Sequence, residues 1–144
     1  MAPATLAAMV LDPAVIDRTV ARLHETEPSF DWVGVYVVER GELVLGPFRG
    51  DSTEHIRIPM GAGVCGSVAA AGRTEVVPDV RSRPGHIACD IHTRSEAVAP
   101  ILVDGAVVGV LDVDSNAPDA FGGREVAVIE TAAGQIAASA RATA

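Results

Sequence analysis

The sequence predicts an α+β domain: a mostly antiparallel sheet with helices from both chain ends on one face and a ligand pocket under loops on the other. Three observations predict this class. Apolar residues recur at helical spacing near each end of the chain, β-branched and alternating runs lie between them, and Asp104-Gly105 joins two of those runs as a hairpin turn. Strands joined by hairpins run antiparallel, and helices with one apolar face pack on such a sheet.

The chain is expected to form one domain. Its 144 residues match the usual length of one domain, and a hydrophobic fraction of 49% is enough to form a core. We assign residues 1–27 to an N-terminal helical region and residues 30–144 to the core of the domain.

Charge argues against two classes of partner. Nineteen acidic residues stand against eleven basic ones, all of them arginine, for a formal net charge of -8. Nucleic acids and anionic membranes attract clustered positive charge, so neither is expected as a partner. No apolar run approaches the roughly 20 residues of a membrane span, and the N-terminus lacks a leader pattern, so we expect a cytoplasmic protein.

The first helix has clear start and stop signals. Asp12 is a favourable N-cap, and Pro13 suits the first helical position. The apolar stripe continues to about residue 27, and Pro28 ends the helix.

The remaining elements follow from periodicity and turn residues. A long polar loop interrupts them, and such loops are usually functional or disordered. The predicted order is strands at 32–39, 42–48 and 55–59, a helix at 65–71 closed by Gly72, a strand at 75–77, the loop at 78–95, strands at 96–103 and 106–114, and a helix at 125–141.

Three acidic side chains are predicted to gather at one end of this sheet. Side chains alternate along a strand, so Asp112 and Asp114 share a face. Counting back from the hairpin turn places Glu96 opposite Val113, beside both aspartates. Like charges this close require a proton or a cation between them. The cluster therefore indicates either an ammonium-binding site or an acid ready for proton transfer.

Less demanding interpretations of these carboxylates stay open. The strand end can be exposed, with both aspartates solvated, or Asp114 can cap the turn at Ser115-Asn116. Arg94 is the counter-charge that the chain itself offers to the cluster.

The first strand carries two different faces. Trp32, Gly34 and Tyr36 alternate with valines that belong in the core. The aromatic side chains can line a pocket whose floor is open at Gly34, or they can pack beneath a second helical layer. The pattern alone does not decide between these two.

The chain has two cysteines, Cys65 and Cys89. The start of a helix at Cys65, and the neighbours His86, His92 and Arg94 of Cys89, favour thiolates. The alternative is that both are inert small hydrophobes. Spacings typical of metal sites and phosphate loops are missing, so we expect neither a metal nor a cofactor.

Several segments together resemble the free methionine-(R)-sulfoxide reductases, which are single GAF domains. The resemblance runs in order over about residues 31–115, and the segment that ends in Cys89-Asp90 is the most specific. The matching segments are DWVGVY (31–36), LGPFRG (45–50), GVCG (63–66), VPDV (77–80), PGHIACD (84–90), SE (95–96) and GVLDVDS (109–115).

This resemblance implies a function and roles. Cys89 falls on the attacking cysteine of the family, which would reduce free methionine-(R)-sulfoxide and become a sulfenic acid. A second thiol would then form a disulfide that thioredoxin reduces. The substrate-pocket residues of the family fall on Trp32, Tyr36, Glu96, Asp112 and Asp114, and one of these carboxyl groups would protonate the sulfoxide oxygen.

One departure from the family concerns how oxidised Cys89 would be reduced again. His55 stands where the family commonly has its resolving cysteine. Either Cys65 resolves Cys89, or an external thiol reduces the sulfenic acid, or turnover is lost. The second hypothesis is therefore a non-catalytic GAF module that binds a small ligand or senses redox state. A homodimer is a further expectation.

Overall fold

The computed structural model describes residues 9–86 and 91–142 and confirms the predicted α+β class. The elements in chain order are β1 (Met9–Val10), α1 (Pro13–Thr26), β2 (Trp32–Glu39), β3 (Glu42–Arg49), β4 (Arg57–Pro59), α2 (Gly63–Ala71), β5 (Glu75–Val77), a 3-10 turn (Val80–Ser82), β6 (Ser95–Val103), β7 (Ala106–Ser115), α3 (Gly123–Ala137) and β8 (Arg141–Ala142).

Six of the strands form one antiparallel sheet in the order β4-β3-β2-β7-β6-β5. The two hairpins, β2–β3 and β6–β7, meet along β2 and β7, so two of the matching segments, DWVGVY (31–36) and GVLDVDS (109–115), pair at the centre of the sheet. No helix in residues 9–86 and 91–142 is long and apolar enough to cross a membrane.

The helix ends follow local signals, with one correction. The Asp12 side chain accepts a hydrogen bond from the amide of Ala14 at 2.9 Å, and Gly72 ends α2 with a φ of +71°, both as expected. However, α3 ends at Ala137 rather than 141, because the chain beyond it extends and pairs with β1. Strand pairing between β1 and β8 therefore ends the helix earlier than its apolar pattern predicts.

The sheet separates alternate side chains onto two faces. The aliphatic face packs under α1 and α3, the helices from the two chain ends. The aromatic face includes Trp32, Tyr36, Val98 and Val110 and packs under α2, which contributes Cys65. Both faces were predicted from the alternation.

The predicted register of β6 and β7 is wrong by one residue. Near the turn, Leu102 pairs with Val107 as counted, but Ile101 pairs with Gly109. This irregularity is a bulge that inserts one extra residue into β7, which the count from the turn could not include. Glu96 consequently lies opposite Asp114 instead of Val113.

Candidate active site

The structure brings the three predicted carboxyl groups together on the aromatic face. Glu96 on β6 is directly opposite Asp114 on β7, and Asp112 is two residues away on the same side of β7. Their exposed fractions are 1%, 1% and 0%. Solvated carboxylates at an open strand end are therefore excluded.

Burial and like charge act together on Glu96. Desolvation, followed by the charges of Asp112 and Asp114, raises its pKa well above the ordinary value. Hydrogen bonds to the two aspartates act in the same direction. Glu96 therefore holds a proton at a pH where a free carboxyl group has lost it.

His86 contacts the buried carboxyl cluster. Its Nε2 lies 3.0 Å from Oε1 of Glu96, and the exposed fractions of the two side chains are 10% and 2%. Burial lowers the pKa of His86; Asp112 partly opposes this shift, while Arg83 and His55 add to it. The sequence placed His86 beside Cys89 and gave no signal of a contact with Glu96.

Cys65 lies in the first turn of α2 and contributes to the same cluster. It is buried, and its Sγ, a Glu96 carboxyl oxygen and an Asp112 carboxyl oxygen all lie within 4.8 Å of one another. These residues are distant in sequence, so spacing could not have indicated that the three groups meet.

The two aromatic side chains are fully buried and oriented by hydrogen bonds. Trp32 donates its Nε1–H to the carbonyl of Asp51 at 3.0 Å, and the Tyr36 hydroxyl donates to the carbonyl of His55 at 2.9 Å. Their ring centroids are 6.5 Å apart and the rings are stacked. The two rings thus form a fixed apolar wall on the aromatic face.

Of the two alternatives for the aromatic face, the structure selects packing beneath a second helix, α2, and excludes an open floor at Gly34. The Trp32 ring folds back over this glycine, so a Cβ added at Gly34 would lie 2.6 Å from Cζ3 of Trp32 and 2.9 Å from Cβ of Phe48. Gly34 is needed because it leaves room for the neighbouring ring.

The long loop is anchored on both sides of the segment that carries Cys89, which itself lies outside the described residues. Arg83 donates from Nε to Glu75 at 2.8 Å and from Nη2 to Ser67 at 3.1 Å. Arg94 donates to Asp79 at 3.4 Å, so the counter-charge suggested for the cluster is engaged elsewhere.

The turn after β7 has a different cap from the one considered. Asp31, and not Asp114, accepts a hydrogen bond from the amide of Asn116 at 2.7 Å. Asp31 begins the DWVGVY segment, but nothing in its sequence context marks it as a cap. Asp114 therefore keeps its place in the carboxyl cluster.

A separate groove of about 680 Å³ lies between the start of α1 and the β2–β3 hairpin. Its lining is largely apolar and includes none of the predicted site residues. By shape alone this groove would be the candidate active site. We place the active site at the carboxyl cluster instead, because the reactive and ionisable groups are concentrated there.

Comparison with known proteins assigns the domain type. The family described as GAF domain matches residues 13–140. The free methionine-R-sulfoxide reductase of Escherichia coli is 43% identical over 103 residues, which cover 72% of this chain and 62% of that protein. The chain spans about three fifths of the length of the first curated relatives that it matches.

Two solved structures extend this similarity to the fold. The free methionine-R-sulfoxide reductase of Neisseria meningitidis, in complex with its substrate, shares 41% identity with a TM-score of 0.83 over 88% of this chain and 76% of that one. The type II free methionine-R-sulfoxide reductase of Thermoplasma acidophilum shares 33% identity with a TM-score of 0.84 over 88% and 89%.

Proposed function

This chain belongs to the GAF-domain family of free methionine-R-sulfoxide reductases, and we propose that it reduces free L-methionine-(R)-S-oxide to methionine by cysteine chemistry. One observation carries the proposal: three buried carboxyl groups lie beside a fixed aromatic wall and a thiol on one face of the sheet. The proposed site lies entirely within residues 30–144, the core of the proposed single domain.

The cluster suits a free amino acid. A free methionine sulfoxide carries an ammonium group, which the negative charge of the Glu96, Asp112 and Asp114 cluster attracts, whereas a residue inside a protein has an amide in its place. Trp32 and Tyr36 supply apolar surface for the methyl-sulfoxide end. The pairing of charge and apolar wall therefore selects the free substrate.

The proposed step transfers an oxygen atom. The Cys89 thiolate attacks the sulfoxide sulfur while Glu96, the carboxyl group that holds a proton, protonates the oxygen. The hydroxyl group then passes to the Cys89 sulfur as the substrate's sulfur–oxygen bond and the new bond between the two sulfurs break, so methionine leaves and Cys89 becomes a sulfenic acid. The Cys89 sulfur loses the two electrons that the methionine sulfur gains.

Recycling requires a second thiol. Cys65 is part of the carboxyl cluster, so we assign it the resolving role: its sulfur bonds to that of Cys89, and water leaves. A thioredoxin dithiol then reduces the disulfide. A cytoplasmic location, where thioredoxin is kept reduced, and a homodimer belong to the same proposal.

The test is a coupled assay with thioredoxin, thioredoxin reductase and NADPH, offering the R and S epimers of free methionine sulfoxide separately. Steady NADPH oxidation with the R epimer alone is the expected result. The variant Cys89→Ser should form no methionine. The matched variant Cys65→Ser should release about one equivalent and stop, because its sulfenic acid has no resolving partner.

The second candidate is a non-catalytic GAF module that binds methionine sulfoxide or senses redox state. The observation favouring it is His55 at the position of the usual resolving cysteine. Binding of the R epimer without methionine formation by the wild-type protein would establish this module and overturn the reductase proposal.

A further inference from the structure

We propose that His86 is a positioning residue for Glu96: its imidazole hydrogen-bonds the Glu96 carboxyl group in both protonation states, so that this buried group can gain and lose a proton. The inference rests on the proposed function, in which Glu96 is protonated before the step and ionised after it has given its proton to the sulfoxide oxygen. It adds His86 to the site as a residue that acts through Glu96 and needs no contact with the substrate.

The geometry places His86 in contact with both the buried carboxyl group and solvent. Its Nε2 lies 3.0 Å from Oε1 of Glu96, a hydrogen-bond distance. The side chain is 10% exposed, against 2% for that of Glu96. His86 therefore lies between solvent and a carboxyl group that has almost no access to it.

Imidazole chemistry suits this position. A neutral imidazole nitrogen accepts a hydrogen bond from a protonated carboxyl group in one tautomer and donates to a carboxylate in the other. Lysine and arginine can only donate, and a carboxylate can only accept. Histidine thus serves Glu96 in both states without gaining a charge beside the substrate ammonium.

The other ionisable groups around the pair do not fill this role. Asp112 and Asp114 repel the ionised form of Glu96, and the Arg83 guanidinium is bound to Glu75 and Ser67. Among residues 9–86 and 91–142, the other ionisable neighbours are Cys65 of α2, near Glu96, and His55, near His86. When Glu96 ionises, the charge of Arg83 acts on it without a hydrogen bond, and His86 offsets the repulsion by direct donation.

The test compares two variants by kcat/KM for the R epimer across a pH series. His86→Leu removes the hydrogen bond and should lower kcat/KM roughly 10- to 100-fold. Its alkaline limb should move to higher pH, because ionised Glu96 loses its donor and holds its proton more tightly. His86→Gln, whose amide can donate or accept, should stay within about threefold of wild type with an unshifted limb.

The control is His24→Leu, at a histidine of α1, the helix that packs on the opposite face of the sheet, and it should match wild type in both readouts. Thermal unfolding shows whether His86→Leu folds; if it does not, His86→Gln decides alone. The role of His86 would be overturned if His86→Leu had the kcat/KM and the alkaline pH limb of wild type. A fall in kcat/KM of more than about tenfold in His86→Gln would overturn it too. Wild-type protein that forms no methionine would instead overturn the proposed function, and this inference with it.

Discussion

The two faces of the central sheet are made by the same strands and have opposite characters. On β7, Leu111 and Val113 pack under α1 and α3, while the alternate residues Asp112 and Asp114 lie on the side of α2. Burying the first pair is favourable by hydrophobic transfer, whereas burying carboxyl groups beside one another opposes folding. The difference teaches that the aliphatic face supplies stability and the aromatic face supplies chemistry at a cost in stability.

The comparison predicts that activity depends on the carboxyl cluster most of all. Glu96→Gln removes the acid that protonates the sulfoxide oxygen. We expect kcat/KM for the R epimer to fall roughly 100- to 10,000-fold, the range for loss of a general acid. The coupled assay over a range of substrate concentrations measures this loss.

The matched control is Glu39→Gln, an exposed carboxyl at the end of β2, which should retain kcat/KM within about twofold. Equal kcat/KM in Glu96→Gln and wild type would show that Glu96 is not the acid that protonates the sulfoxide oxygen.

Truncating a buried side chain on the aliphatic face should lower the stability of the protein and leave its activity unchanged. Leu111 is fully buried among the side chains under α1 and α3. Leu111→Ala should lower the free energy of unfolding by about 2–5 kcal/mol, through lost burial and the cavity left behind. Urea denaturation measures the change, and kcat/KM of the folded protein should remain close to that of wild type.

Leu102→Ala provides the same change of side chain at a position that is 42% exposed. It should cost less than about 0.5 kcal/mol. Comparable losses in the two leucine variants would mean that the aliphatic face is not the main source of stability.

The division into two faces was predictable because side chains alternate along strands at any register. Trp32 and Tyr36 separated from the valines of β2, and Asp112 separated from Leu111, as the pattern required. The pairing of Glu96 was not predictable, because a bulge within a hairpin depends on packing and has no signal in a count of residues.

Contacts between distant segments were the other limit. That His86 reaches Glu96, and that Cys65 lies beside Asp112, depends on how α2 and the long loop pack on the sheet. The fold of the Trp32 ring over Gly34 likewise depends on a side-chain rotamer, so the sequence suggested an open floor where the ring lies.

The smallest expected effect tests the cost of the aromatic face directly. The pKa of Glu96 is raised in the folded protein. Its contribution to stability is therefore fully present below the pKa of the unfolded carboxyl group and is lost as the pH rises through the folded value. At pH 7 the wild-type protein carries that cost, whereas glutamine cannot ionise. Glu96→Gln should thus increase the free energy of unfolding by about 1 kcal/mol at pH 7.

The gain should shrink towards pH 4, where Glu96 of the wild-type protein is protonated in both the folded and the unfolded state and resembles the amide. Urea denaturation of both proteins at the two pH values measures it, and the difference between them removes effects that other groups share. A variant that is less stable at pH 7, or a gain that does not change with pH, would show that ionisation of Glu96 does not oppose folding. If Glu96→Gln gains free energy of unfolding only at neutral pH and also loses activity, then the carboxyl group of Glu96 supports catalysis at the expense of stability.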